Sequence, residues 1–272
     1  MANPSIDVAF VQEFEQGVHE AYQLQGSQFR ACCRTRSGVK NKTTFQKYGT
    51  GTATQKARNA VIPPMNNDHT NVSVTVEDWY AGDFIDDLDV LRVNHDEMLA
   101  SQRAGAFALG RKTDEQIITA LSGSTTVADE TTNGATLAWA TSCMVAMGNN
   151  NVPDDGDRFA LIGWEQWGKL MAIQQFSNSQ YVGEDDLPYK MGTQAKRWMS
   201  FMWMPFSGYV RSTNSTNYLF HRSSVGHAIG EDVNSTITYE GTRAAYWAMN
   251  KMQMNAVLID TLGAIKCSLK VA

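Results

Sequence analysis

The chain has 272 residues, 43% of them hydrophobic, and a formal net charge of -5. That suits one large domain or two closely joined ones with a sizeable core, and it argues against tight nucleic-acid binding by the chain as a whole, because such domains carry a basic excess. No apolar run approaches the roughly 20 residues of a membrane-crossing helix, and the opening MANPSIDVAF has neither the basic start nor the apolar centre of a signal peptide, so the protein is expected to stay where it is made, with no membrane partner.

In VAFVQEFEQGVHEAY, Val11, Phe14, Val18 and Ala21 recur at helical spacing, which predicts an amphipathic helix near the N-terminus. From Ala21 to Asn67 the chain has no Asp or Glu but carries Arg30, Arg34, Arg36, Lys40, Lys42, Lys47, Lys56 and Arg58. Gly38, Gly49, Gly51 and many Thr residues leave this segment little to bury, so it reads as an extended loop or hairpin projecting from the body. The turn IPPMNND ends it, and NVSVTVE follows as a half-buried strand with Val72, Val74 and Val76 alternating against polar neighbours. The charge then reverses: Asn59 to Leu91 has no Lys or Arg, while Glu77, Asp78, Asp83, Asp86, Asp87 and Asp89 gather in EDWYAGDFIDDLD.

NHDEMLASQRAGAFALGRKTDEQIITAL, residues 94 to 121, reads as one helix on the order of 40 Å long. Its polar start has a structural reason: Asn94 as N-cap, Glu97 three residues on as the reciprocal member of a capping box, and Asp96 and Glu97 at the positive end of the dipole. This reading is preferred to a metal or acid/base role for His95, Asp96 and Glu97. Ala100, Ala104, Ala108, Gly105 and Gly110 keep the helix thin, so close packing is expected to offset the propensity lost at the glycines.

STTVADETTNGA reads as a polar connector, Leu137, Ala140, Met144 and Met147 as another amphipathic helix, and NNNVPDDGD as its end. RFALIGWEQWGKLMAI predicts a buried strand leading into a helix on which Trp164, Trp167 and Leu170 share a face. The methionines and aromatics of RWMSFMWMPF suit core packing, with a subunit interface as the alternative. Residues 177–235 look loop-rich, with VGEDDLPY and RSTNSTN exposed, before STITYEG and NAVLIDTLGAIKCSL return to strand patterning. Helices and strands that mix without regular alternation point to an α+β fold.

A search for chemistry finds no catalytic, metal or cofactor site. GTGTATQK lacks the spacing and the strand-to-helix context of a phosphate loop. His221 and His227, six residues apart, do not share a helical face as zinc ligands would, and they read as loop or strand histidines satisfied by the backbone. There is no G-x-S-x-G elbow. Cys32, Cys33, Cys143 and Cys267 fit neither a metal spacing nor a disulfide framework, so reduced, buried thiols are expected. A hydrolase built on His95 or His221 ranks last among the functional readings.

The charge blocks are less ordinary. If the arm projects, Arg34, Arg36, Lys40, Lys42, Lys47, Lys56 and Arg58 cannot all be neutralised by their own body, and Asp83, Asp86, Asp87 and Asp89 offer a complementary surface on another copy. Each exposed pair is worth only about 0 to 1 kcal/mol, but a closed assembly repeats it many times. The competing readings are a solvated loop beside a solvated acidic turn, and a nucleic-acid-binding protein using the basic arm 30–58. For the latter the aromatics available to stack bases are few, Phe29, Phe45 and Tyr48.

The succession FEQGVHEAYQLQGSQFRACCRTR, TFQKYGTGTATQKARNAVIPPMNNDHTNVSVTVEDWYAGDFIDDLD, the 94–121 helix and RFALIGWEQWGKLMAIQQFSNSQYVGEDDLPY resembles the major capsid proteins of tailed double-stranded DNA phages with the Hong Kong 97-type fold. The resemblance implies an N-terminal arm over 1–33, an extended E-loop over 34–66, and a peripheral domain beginning at 67–134 with a spine helix. It further implies an axial domain over 135–234 and peripheral C-terminal strands over 235–272. It implies self-assembly into pentamers and hexamers of an icosahedral shell, the E-loop lying across a neighbouring subunit. Scaffolding and portal proteins, a cement protein and weak non-specific contact with packaged DNA are the further partners implied, with assembly in the host bacterial cytoplasm and residence in the virion.

Overall fold

The computed structural model describes residues 26–90, 97–178, 196–207 and 213–271. The helix expected near the N-terminus, the Asn94 cap and the VGEDDLPY loop lie outside the described residues, as does the side chain of Glu97.

A 3-10 turn at Arg30–Cys32 leads into the short strand β1 (Arg34–Arg36). The basic segment then forms a two-stranded antiparallel ribbon, β2 (Lys42–Tyr48) against β3 (His69–Thr75), with Phe45 opposite Val72 and Thr43 opposite Val74. The chain continues into β4 (Glu77–Asp86), the short helix α1 (Asp87–Val90) and the 25-residue spine helix α2 (Glu97–Leu121). The polar connector contributes a two-residue strand, β5 (Thr126–Val127), before helix α3 (Leu137–Asn149), capped by the Thr136 hydroxyl, which accepts the Trp139 N–H at 3.2 Å.

Strand β6 (Arg158–Gly163) runs directly into helix α4 (Trp164–Met171), followed by α5 (Gln174–Ser177), β7 (Lys196–Trp198) and β8 (Phe201–Phe206). The C-terminal third is β9 (Asn214–His221), β10 (Val225–Ile229), β11 (Asn234–Glu240), the 14-residue β12 (Ala245–Leu258) and β13 (Ala264–Lys270).

Two mixed sheets organise these strands. In the first, β12 is the spine: β4 pairs along one side, and on the other β11 takes its N-terminal half and β10 its C-terminal half, with β1 parallel to β10 at the edge. Helix α2 covers one face, Leu109 packing with Ile229, Met252 and Met254. The expected close approach is present at both glycines: a Cβ on Gly105 would collide with the Asn250 amide, and one on Gly110 would lie 2.5 Å from the Gly26 carbonyl carbon.

The second sheet has the order β5-β13-β9-β6-β8-β7. It buries Ala160, Ile162, Phe201, Trp203, Leu219 and Leu269 against Trp139, Cys143 and Met147 of α3 and Trp167 and Leu170 of α4. A second cluster joins the halves of the molecule, with Ile117 and Leu121 of α2 packed among Phe29, Phe220 and Val225. The RWMSFMWMPF segment is therefore core strand, with Phe201 and Trp203 fully buried.

Two sequence expectations need correction. Residues 177–235 contain three strands of the second sheet, β10 of the first and the start of β11, and the polar-looking STN of RSTNSTN enters a central strand. Asn217 is buried there because its Oδ1 accepts the Gly163 N–H at 2.8 Å and its Nδ2 donates to the Ser215 carbonyl at 2.8 Å, so neither end is left unsatisfied. On α4 the inward face is Gln166, Trp167 and Leu170, while Trp164 is 38% exposed; Gln166 binds the Ala135 N–H at 2.9 Å and the Lys270 carbonyl at 2.7 Å, which makes an amide the better core residue at that point. The polar connector at 124–135 also contributes β5, which pairs parallel with β13.

Candidate functional site: the arm and the acidic strand

The arm divides into a fastened root and a free tip. Phe45 and Val74, 3% and 6% exposed, point the same way from the ribbon and pack with Val39, Val76, Ala228 and Ile259. Gly226 of β10 lies directly beneath, where a Cβ would come within 2.6 Å of the Phe45 ring. Lys47 adds an ion pair, its Nζ 2.7 Å from Asp260 Oδ1. The expectation that the whole arm projects thus holds only beyond Tyr48: residues 50–66 are exposed throughout, including Val61, Ile62 and Met65. The apolar VIPPM stretch at the tip finds no burial in its own subunit.

Of the basic residues in 30–58, Arg30 pairs with Asp232 at 2.8 Å and Lys47 with Asp260 at 2.7 Å, and the others have no carboxylate partner among the described residues. Arg34 places its guanidinium 5.8 Å from the Phe45 ring, and Arg34, Arg36, Lys40, Lys42, Lys56 and Arg58 are all exposed. Among the described residues, Asp83, Asp86 and Asp87 likewise have no cationic side chain paired to them. Asp83 and Asp86 are exposed and Asp87 half-buried, while Asp89 sits in α1 with its side chain outside the described ones. Asp83 Oδ1 accepts the Phe84 N–H and Asp86 Oδ1 accepts the Leu88 N–H, both at 2.9 Å, so Asp86 also caps α1. Within one chain the structure does not bring the two charge groups together.

Strand alternation places Asp78, Tyr80, Phe84 and Asp86 on the sheet face opposite α2. Phe84 stacks on Trp247 at 4.2 Å between ring centroids, Arg243 lies 4.3 Å over Phe84, and Tyr80 is 65% exposed. The result is an aromatic strip bordered by carboxylates, open to solvent. The charges were read from the sequence; this strip was not, although the Tyr80 and Phe84 spacing in DWYAGDFID carries its period-two signal.

The remaining polar groups have structural duties. His221 Nε2 lies 3.0 Å from Asp155 Oδ1 and its Nδ1 lies 2.7 Å from Ser223 Oγ, but Ser223 belongs to the same 3-10 turn and its N–H also binds Nδ1, so the histidine closes that turn. A cleft of about 520 Å³ beside it is floored by the arm root at Lys47 and Tyr48 and by the loop after α3. His227, expected to be satisfied by the backbone, is fully buried with neither ring nitrogen bonded, and burial, reinforced by Arg30, pushes its pKa down to about 4. Asp114, which the sequence reading passed over, accepts from the Ser27 hydroxyl at 2.6 Å and the Gln28 and Phe29 N–H groups at 3.0 and 3.1 Å, tying the chain before β1 to the spine; burial raises its pKa despite these bonds.

All four cysteines are buried and unpaired, as expected, and burial pushes the Cys32 thiol up to about 11. Among the described residues there is no cluster of three or more potential metal ligands, and no helix is long and apolar enough to cross a membrane.

Comparison with known proteins gives the fold a context. The profile of a family described as phage capsid protein matches residues 6–271. No curated protein matches the chain. Among solved structures, the capsid of cyanophage P-SCSP1u superposes with a TM-score of 0.77 at 16% identity, covering 98% of this chain and 94% of that one. A chain from Mycobacterium phage Che8 gives 0.73 at 14% identity with 98% of each covered, and the cyanophage Pam1 capsid 0.72 at 12% with 100% of each.

Proposed function

Since the chain belongs to the phage capsid protein family and is a major capsid protein, a repeated subunit of the virion shell, we propose that its arm and acidic strand are the two halves of one inter-subunit contact. The reading rests on a single observation. Among the described residues Arg34, Arg36, Lys40, Lys42, Lys56 and Arg58 have no carboxylate partner and the apolar tip is exposed, while Asp83, Asp86 and Asp87 have no cationic side chain paired to them and the Tyr80–Phe84–Trp247 strip, capped at Phe84 by Arg243, remains open to solvent. An apolar tip with flanking cations and an aromatic strip with flanking carboxylates complement each other in both hydrophobicity and charge.

In this scheme the arm of one copy crosses onto the β4 face of the next, so that pentamers and hexamers form and close into an icosahedral shell around double-stranded DNA. The divisions 1–33, 34–66, 67–134, 135–234 and 235–272 serve as N-terminal arm, E-loop, peripheral, axial and returning peripheral segments, except that β10 of the fourth division lies in the first sheet and β13 of the last in the second. Scaffolding and portal proteins, a cement protein and weak DNA contacts complete the partner set, and assembly takes place in the host cytoplasm. Neither the family nor the structural neighbours support the alternative of a nucleic-acid-binding protein acting through 30–58, and a shell protein's role is structural rather than enzymatic.

The test reverses the charge on the receiving side. Asp86→Lys with Asp87→Lys should leave a soluble subunit with unchanged circular dichroism yet lower the yield of shells seen by electron microscopy about tenfold or more at low salt, because one weakened contact is repeated around every capsomer. Shells formed in normal yield would show that the complementarity is incidental.

A further inference from the structure

Every open sheet leaves two edges whose backbone groups can pair with another chain, and proteins blunt such edges with short strands, charges or proline. Here the blunting is uneven. The second sheet ends in β5, two residues long, and β7, three residues long with Lys196 and Arg197. In the first sheet, β1 is three residues, two of them Arg, and β4 carries Glu77, Asp78, Asp83 and Asp86. In the ribbon, β2 carries Lys42 and Lys47.

Two long edges have no such guard. Strand β11, NSTITYE, has no charge or proline before Glu240, pairs among the described residues only with β12, and is exposed at every position but the last. Strand β3, HTNVSVT, has no Lys, Arg, Asp, Glu or Pro, and only its root is engaged on the outer side, where Asn255 Nδ2 donates to the Thr75 carbonyl. Both runs are rich in Thr, Val and Ile, residues that favour extended backbone. Ile237 and Tyr239 are large groups that remain 39% and 54% exposed on this strand.

We propose that β11 is a docking edge for a second copy of this chain, and that the neighbour's β3 adds to it as a further strand, extending the five-stranded sheet across the subunit boundary. This rests on the shell-subunit reading above and deepens it, giving the arm a backbone contact besides its charges. Two observations choose this occupant. The two edges are the long unguarded ones and have the same length of seven residues. A β11-to-β3 pairing is also heterologous and can propagate around a ring, whereas β11 against β11 would stop at a dimer. Main-chain bonds supply the affinity in such strand addition, and the alternating side chains supply the fit.

The test uses the unaltered full-length subunit, assembled and free, with two single variants, Thr236→Pro and Ile237→Pro. Adjacent N–H groups in a strand point to opposite sides, so one proline removes a bond to β12 and the other removes only an outward donor. The variant that melts like the parent should lose shells by tenfold or more. In parent shells, amide exchange across 234–240 and 69–74 should slow at least tenfold relative to the free subunit. A parent-like proline variant that assembles normally, or exchange equally fast in shell and free subunit, overturns the pairing while leaving the shell reading intact. Protection at 234–240 without protection at 69–74 overturns the choice of β3. Failure of the parent chain to form particles under any salt or scaffold condition would overturn the shell reading and this inference with it.

Discussion

The β2–β3 ribbon and the six-stranded sheet are both β-structure, but they are held by opposite means. The sheet is packed against α3 and α4, and Ala160, Ile162, Trp203, Leu219 and Leu269 on it are fully buried. The ribbon has one buried face, essentially Phe45 and Val74, one ion pair, and beyond it an exposed tip. A shell subunit needs a body that keeps its shape when it meets neighbours in several environments, and it needs an arm that can trade weak contacts at home for repeated contacts abroad. Dense packing serves the first and sparse packing the second.

The largest effect should come from the body. Trp203→Ala removes a fully buried ring set among Trp139, Trp198 and Phe201, whose Nε1 donates to the Trp198 carbonyl at 2.9 Å. It should cost about 3 to 5 kcal/mol in urea unfolding of the subunit; a loss below about 1 kcal/mol would mean that the rigid core lies elsewhere.

Acid should separate the two regions. His227 lies on β10, the strand whose Ala228 and Gly226 underlie the ribbon, and its folded pKa of about 4 is below the unfolded value. Between roughly pH 6.5 and pH 4 the unfolded chain therefore binds the extra proton, so the stability present at neutral pH falls as pH falls, by on the order of 2 to 3 kcal/mol. Exchange in 42–48 and 69–75 should accelerate at pH 4.5 before that of β6, β8 and β9, and His227→Leu should flatten the dependence. Acceleration of all the strands together would show that the two regions are not separable.

The smallest effect sharpens the comparison from the arm's side. Lys47 and Asp260 are about a third exposed, so Lys47→Ala should change global stability by less than about 1 kcal/mol. It should still raise exchange in 42–48 several-fold at low salt, a difference that disappears near about 0.5 M salt as screening replaces the mutation. No change at low salt would mean that Phe45 and Val74 alone fasten the root.

The sequence was most legible where one physical signal dominated. Twenty-five residues of helix-compatible pattern at 97–121, the strand-to-helix passage at 158–171 and the alternation in NVSVTVE all became the elements expected. The site was legible as charge, because the basic and acidic blocks are visible one after the other in the chain. It was not legible as surface: Tyr80 and Phe84 of β4, Trp247 of β12 and Arg243 of the turn before β12 come together only through the β4–β12 pairing. Strand β9 was missed because Ser215 and Asn217 look like loop residues until their partners Gly163, Gln166 and Leu269 come into view.

By itself, then, the sequence determined the α+β class, the long spine, the free thiols and the opposed charges, since each follows from residues near one another along the chain and from short-range rules of pattern and propensity. Only the tertiary structure decided which polar groups could be buried, that the root of the arm is fastened while its tip is free, and that β3 and β11 are the edges left unguarded. Those outcomes depend on what each group meets across the fold, and a buried amide, a grounded lysine or an open strand edge is defined by its partners rather than by its neighbours in sequence.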